Sequence, residues 1–249
     1  MPRYFIEVSY KGTNYSGFQI QQNANSIQSE VTKALKVFFR KDFELTGSSR
    51  TDAGVHALQN FFHFDIDEPL DFENDFQYNL NALLPRDIVI KKIFQVKDTA
   101  HCRFDALSRE YKYFIFPQKD PFLQDTAFYY PYKVGIGKLN EAAGKIIKYE
   151  DFTSFSKRNT QVKNFFCKIE KSEWHIEGEK FIYNVIANRF LRGMVKGLVG
   201  TMLRVGSNKI SIKEFSKIIE DKDCSKVDFS PPSHGLFLIA VNYNFNLLI

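Results

Sequence analysis

The 249-residue sequence predicts an α+β fold in which two related halves share a largely antiparallel sheet flanked by helices. Segments with strand periodicity arrive in neighbouring pairs, not in strict strand–helix–strand alternation. The first half reads strand–helix–strand–strand–helix–strand, and the second repeats that order loosely. No long low-complexity linker intervenes, so one sheet is expected to run through both. The boundary falls near residues 98–106, giving an N-terminal α+β subdomain over 1–102 and a C-terminal one over 103–249.

Each element has a local reason. Residues 3–11 alternate, with Tyr4, Ile6, Val8 and Tyr10 on one strand face. After a Gly/Asn/Gln-rich stretch, Ser26 is placed to cap a helix carrying Ile27, Val31, Ala34, Leu35 and Phe38. Strands near 43–46 and 60–65 bracket a turn of small and polar residues. Asp71 can cap a helix bearing Phe72, Phe76, Leu80 and Leu83, which Pro85 closes before a strand over 88–96. Residues 109–116 form an aromatic-rich strand, and Leu139, Ala142, Ala143, Ile146 and Ile147 mark a helix. Strands over 165–176 and 180–187 meet in a hairpin at Glu177-Gly178-Glu179. Asn188 is read as the cap of a helix running to Gly206. Ser211-Ile212-Lys213-Glu214 is a capping box, and 236–243 is the last strand.

Composition excludes whole classes. The longest apolar run, residues 236–241, is far shorter than the roughly 20 residues a membrane span needs, and Arg3 and Glu7 interrupt any signal-peptide core. Cys102, Cys167 and Cys224 are odd in number and widely spaced, which does not describe a disulfide framework. There is no Cys-x-x-Cys or His-x-x-x-His pair, so no metal site is expected, and a reducing, cytoplasmic setting fits best. The net charge of +5 permits a nucleic-acid partner without demanding one. The 26 Phe are read mainly as core.

Three segments can carry chemistry. In Gly47-Ser48-Ser49-Arg50-Thr51-Asp52-Ala53-Gly54-Val55-His56-Ala57, an Arg and a carboxylate share a tight turn between strands. On residues alone an Asx-type turn is the simpler reading, because an ordinary glycosidase needs a second carboxylate that no motif supplies. The segment 101–113 interleaves cations with aromatics: Tyr111 and Tyr113 share a face flanked by Arg103 and Arg109, as base stacking with phosphate contacts would require. A half-buried strand with solvated charges fits equally well. In the helix read over 188–206, Arg189, Arg192 and Lys196 form a basic stripe beside Gly193, Gly197 and Gly200. Mid-helix glycines each cost roughly 0.5–1 kcal/mol against alanine, so close approach of another element is expected there. With Arg204 that stretch holds four cations and no acids, whereas Asp65, Asp67, Glu68, Asp71, Glu73 and Asp75 form an acidic run expected to face away from any nucleic acid. Lys157, Arg158 and Lys163 make a basic loop that could meet phosphate. His56 and His63 are read as packed or hydrogen-bonded. The glycine-rich pieces match neither a Walker loop nor a dinucleotide fingerprint.

Taken in order, these segments resemble the tRNA pseudouridine synthase A family. The resemblance rests on Tyr15-Ser16-Gly17-Phe18-Gln19 with Ser26-Ile27-Gln28, on 49–57, on Arg103-Phe104-Asp105-Ala106 through Arg109-Glu110-Tyr111-Lys112-Tyr113, on 188–196 with Val199-Gly200, and on Gly235-Leu236-Phe237-Leu238. Two positions depart from the family pattern: Ser49 stands where Gly is usual, and Lys196 where Arg is usual, replacing a bidentate fork by a point charge. The resemblance implies a central cleft and an isomerase that breaks the C1′–N1 bond of uridine, turns the base and rejoins it through C5, at positions 38–40 of the tRNA anticodon stem-loop. No atoms are gained, so no cofactor or metal is implied. By the same resemblance Asp52 is the nucleophile, or the base forming a glycal; Lys196 pairs with it; Tyr111 stacks on the uracil; and Arg50 helps extrude the nucleotide. Arg189, Arg192, Lys157 and Arg158 are candidates for the RNA backbone. The family works as a homodimer on tRNA. The rival readings are a synthase of this architecture acting on another RNA site and a non-catalytic RNA-binding module.

Overall fold

A computed structural model describes residues 1–70, 75–158, 162 and 164–248. Asp71, Phe72 and Glu73, expected in and around a helix start, and Lys163 of the basic loop lie outside the described residues. Nine described strands, mostly antiparallel, and five α-helices make a mixed α/β chain. They fall into two compact units, residues 1–107 with 238–249, and residues 108–237. The chain therefore does not divide at residue 102 into two continuous stretches, because the last strand returns to the first unit.

In the first unit β1 (Arg3–Tyr10) is flanked on either side by the antiparallel strands β3 (His56–Asp65) and β4 (Ile88–Val96), and the unit also holds β2 (Thr46–Gly47) and most of a late strand spanning Leu236–Tyr243. Arg3 stands opposite both Asp65 and Val96. Beyond β3 lies the late strand, and β2 pairs with β3 at Phe62 and His63. Helix α1 (Ile27–Phe39) starts at Ser26, whose hydroxyl accepts from Ser29 N while Ser29 answers the Ser26 N–H, a capping box that satisfies two orphan donors. Helix α2 (Phe76–Ala82) follows with Leu80 buried, its cap position held by Asp75 and not by the Asp71 expected.

The alternation of β1 suggested one apolar face, but Phe5 on the other face is also buried. Its ring lies 5.5 Å from Tyr243, 6.0 Å from Phe94 and 6.3 Å from Phe61, so both sides of this central strand are covered. Phe18 stacks on Phe62 at 4.5 Å, and Phe62 and Phe64 are also sealed. Among the described residues ten phenylalanines are buried, while Phe104, Phe122 and Phe166 are exposed, so the surplus of 26 is core only in part. His63 sits among these rings, and burial, with the Arg3 charge second, pushes its pKa down to about 4.

In the second unit the strands β5 (Ala106–Phe116), β7 (Ile169–Glu177) and β8 (Lys180–Ala187) run in the order β5-β8-β7, both pairs antiparallel. A short strand β6 (Phe128–Tyr129) pairs parallel with the end of β5; two residues are too few to leave a periodic signal. Gly178 turns the β7–β8 hairpin at φ +60°, and Glu177 faces Lys180 across a two-residue loop. Helices α3 (Ile136–Ile146), α4 (Met194–Gly206) and α5 (Ile212–Glu220) pack here, α5 opening with the expected capping box at Ser211 and Glu214. The late strand of the first unit is thus β9 (Leu236–Tyr243).

One device recurs in both units. The outer edge of β4 is met by Asn81 of α2, whose side chain bonds both the N–H and C=O of Ile90 at 2.8 and 2.9 Å. The outer edge of β7 is met by Asn140 of α3, which bonds both backbone groups of Trp174 at 2.8 Å. Each carboxamide occupies ladder positions that another chain could otherwise take.

The helix expected to follow an Asn188 cap begins five residues late, at Met194. Gly193 is its N-cap at φ +74°, a left-handed conformation that a helix interior does not contain. Arg189 and Arg192 therefore precede the helix and do not share a helical stripe with Lys196. Gly197 and Gly200 are within it, and the expected close approach is present: a Cβ on Gly200 would sit 2.2 Å from the Asp228 carbonyl oxygen, and one on Gly197 2.8 Å from Val227 and Phe229.

Two outcomes follow from these contacts. Gly200→Ala should lower unfolding stability in urea by about 1–3 kcal/mol, because backbone cannot yield to the new methyl, whereas Gly144→Ala in α3, with nothing within 4 Å of its Cβ, should raise it by about 0.5–1 kcal/mol. For His63 the native ring stays neutral down to about 4, while an unfolded imidazole takes up a proton below about 6.5. Its contribution is present above 6.5 and lost as pH falls towards 4. The urea midpoint should fall over that window, and fall less in His63→Gln.

Candidate active-site loop and basic helix

The loop between β2 and β3 is braced by buried polar contacts. The Tyr10 and Thr51 hydroxyls bond each other at 2.8 Å, and Asn60 Nδ2 donates to the Tyr10 oxygen at 3.2 Å and to the Ser49 carbonyl at 2.9 Å. At the far end Gly12 N donates to His56 Nδ1 at 3.0 Å, so His56 is a buried acceptor in the scaffold, as its sequence context suggested. Burial raises the Tyr10 pKa strongly, keeping this hydroxyl protonated as a donor or acceptor.

The Tyr15–Gln19 segment is docked onto the loop. Phe18 N donates to the Thr51 carbonyl at 3.1 Å, Gly17 adopts φ +120° where an added Cβ would stand 3.1 Å from that same oxygen, and Gly47 leaves space that the Phe18 ring fills. Between these braces the chain turns: Val55 N donates to the Asp52 carbonyl at 3.2 Å, and Gly54 closes the turn at φ +77°. Thr51 and Val55 are buried, while Arg50 and Asp52 are exposed. A buried residue on each side of an exposed carboxylate presents it from a fixed backbone, which is what a reacting group needs.

The other sequence-derived residues belong to the second unit. Tyr111 lies on β5 opposite Val185, 9% exposed, its ring edge-on to Phe190 at 5.0 Å. Two residues on, Tyr113 is fully buried and donates to the Pro232 carbonyl at 2.7 Å, so it is part of the framework. Lys196, half-buried in the first turn of α4, donates from Nζ to Ser233 Oγ at 3.3 Å. Nothing in residue spacing marked Ser233, which reaches Lys196 through the fold. Arg109 donates to the Asn188 carbonyl at 2.9 Å, and the Arg192 carbonyl accepts from Lys157 N at 3.1 Å. The Lys157 stem lies along Gly193 and its ammonium is 5.8 Å from the Phe229 ring centre. Arg158 and Arg192 are exposed, and Arg189 is half-buried. Asp52 and Arg50 are thus built into one unit, and Tyr111 and Lys196 into the other.

A model of the family described as tRNA pseudouridine synthase matches residues 6–105 and 148–244. The chain belongs to this family. The tRNA pseudouridine synthase A of Bacteroides fragilis is 47% identical over 243 residues, covering 97% of this chain and 96% of that protein. That of Porphyromonas gingivalis is 42% identical over 253 residues and covers both chains completely, and a Staphylococcus aureus relative of the same name is 34% identical over 249 residues. Pseudouridine synthases are isomerases, so the two-carboxylate requirement of an ordinary glycosidase does not apply to this chain as such.

Ser49, the departure from the family's usual Gly, has a measurable consequence. The residue is 8% exposed, and its Oγ has no hydrogen-bond partner among the described residues. A buried, unsatisfied hydroxyl costs about 1–3 kcal/mol. Ser49→Ala should therefore raise urea stability by about 1 kcal/mol, and a loss of stability would show that the hydroxyl is satisfied in solution.

Proposed function

We propose that this chain converts uridine to pseudouridine in tRNA, at positions 38–40 of the anticodon stem-loop, working in the cytoplasm as a homodimer. The observation that carries the reading is the exposed Asp52 on a loop whose neighbours Thr51 and Val55 are buried, in a chain of this family. Full-length relatives named tRNA pseudouridine synthase A support the substrate.

In this reaction the C1′–N1 bond breaks, the uracil departs as a stabilised anion but stays in its pocket, and C5 joins C1′. The C5 proton leaves and N1 takes one up, so the atoms balance with no co-reactant. Asp52 acts on the nucleotide as nucleophile or as the base that forms a glycal. Lys196 supplies a counter-charge to the carboxylate and orients it. Tyr111 offers a ring already fixed by Phe190 for stacking on the base. Arg50 fills the place of the extruded nucleotide, since a paired base is out of reach of the chemistry. Arg189, Arg192, Lys157 and Arg158 meet phosphates, which positions the RNA without reading its sequence.

Tritium release from tRNA labelled at uridine C5 tests the reading, followed by mapping of the modified positions. Release from wild type should be abolished in Asp52→Asn, and Lys196→Met should slow it by about 10²–10³-fold, the usual loss of one electrostatic contact to developing charge. Lys196→Arg should stay near the wild-type rate. Absence of release from wild type would overturn the enzyme, and modification away from 38–40 would overturn the site. Light scattering of the free protein tests the dimer.

A further inference from the structure

Sequence spacing hid one cluster of metal-ligating side chains. His63 on β3 and the adjacent pair His101 and Cys102 each bring one ligand atom within 4.8 Å of the others. We propose that these three residues form a site for a single Zn²⁺ ion, separate from the reacting loop and from any step of uridine isomerisation.

The donor set is the first argument. Two imidazoles and one thiol suit a borderline cation such as Zn²⁺ and do not suit Mg²⁺ or Ca²⁺, which take oxygens. Three protein ligands leave a fourth, water-filled position on a tetrahedral ion.

Protonation state is the second. Cys102 N donates to His63 Nδ1 at 3.3 Å, and Arg103 N and Phe104 N both donate to His101 Nδ1 at 3.1 and 3.3 Å. In both rings Nδ1 therefore carries a lone pair, the form that a metal requires, and the backbone bonds an ion would displace are long ones. Cys102 Sγ is 3.1 Å from His63 Nδ1 and 3.1 Å from the Thr46 carbonyl. Zn–S and Zn–N bonds of about 2.3 and 2.0 Å at a tetrahedral angle hold sulfur and nitrogen about 3.5 Å apart, so this pair is near its ligating separation.

The surroundings are the third. The two imidazoles meet edge-on with centres 4.6 Å apart, Phe5 covers His63, and the Asp105 carboxylate accepts from His101 N at 2.7 Å, which holds the turn. Cys102 and His63 are buried while His101 is half-buried, so the site is enclosed with one ligand at its mouth. Of the two cations that oppose a metal, Arg3 is engaged by both oxygens of Asp65 and by the Ala100 carbonyl, each at 2.7 Å, and exposed Arg103 lies over the Phe104 ring at 5.8 Å. On binding, the Cys102 S–H bond breaks, sulfur's electron pair goes to Zn²⁺ and the proton passes to solvent.

Cobalt titration of the untagged, metal-free full chain tests this. One equivalent of Co²⁺ should give a thiolate-to-cobalt charge-transfer band that Zn²⁺ abolishes by displacement. Cys102→Ala should remove the band, and His101→Gln, at the half-buried ligand where the fold tolerates change, should weaken Co²⁺ binding by more than the 10–100-fold typical of outer-shell substitutions. Cys167→Ala and Cys224→Ala should leave both unchanged. Zn²⁺ should also raise the Tm of wild type but not of His101→Gln, since an ion held only by the native state shifts unfolding by mass action. No band, a band that persists in Cys102→Ala, or equal Zn²⁺ stabilisation of His101→Gln would each reduce the cluster to a hydrogen-bonded knot.

Discussion

The placement of the exposed Asp52 carboxylate depends on one carbonyl oxygen. Thr51 C=O accepts the Phe18 N–H, and around that bond Gly17, Gly47 and the Phe18 ring fit together with no room for an added methyl at Gly47. The same residue is held from beneath by Tyr10 and, through Tyr10, by Asn60. Asp52 is the next residue along the chain. Its freedom is therefore removed by hydrogen bonds to its neighbour, made inside the unit, while its own side chain stays in solvent. A motif near residue 17 and a motif near residue 51 are one physical object.

The second unit fixes its cation differently. Helix α4 is buried along nearly its whole length, and Gly197 and Gly200 allow the 227–231 segment to lie against its backbone. That contact brings Ser233 near Lys196, which the first turn of the helix presents half-buried. Gly193 stops the helix from extending backwards, so Arg189 and Arg192 sit on irregular chain, where the Asn188 carbonyl accepts from Arg109 of β5 and the Arg192 carbonyl accepts from Lys157 N. The cost of three glycines is resolved into two reasons: close packing for Gly197 and Gly200, and a left-handed cap for Gly193.

The two units also share an engineering solution at their outer strands. Asn81 and Asn140 are unrelated in local sequence, yet each projects from a helix to bond both backbone groups of one edge-strand residue. The likeness between halves that the order of elements suggested is thus visible at the level of a hydrogen-bond pattern, where residue identity elsewhere had not preserved it.

Elements whose signal is local were legible in the sequence. Alternation located β1, β4, β8 and β9 almost to the residue, and Ser26 and Ser211 located two helix starts, because a strand face and a capping box are properties of a few consecutive residues. The ordered motifs likewise led to the right family. What only tertiary structure decided has a common cause: it depends on residues far apart in the chain. The helix start at Met194 was misjudged because residues 188–193 have helical spacing, and only the backbone shows Gly193 left-handed. The return of β9 to the first unit, the burial of both faces of β1, Ser233 beside Lys196, and the meeting of His63 with His101 and Cys102 all arise from packing across long separations, which no window of neighbouring residues records.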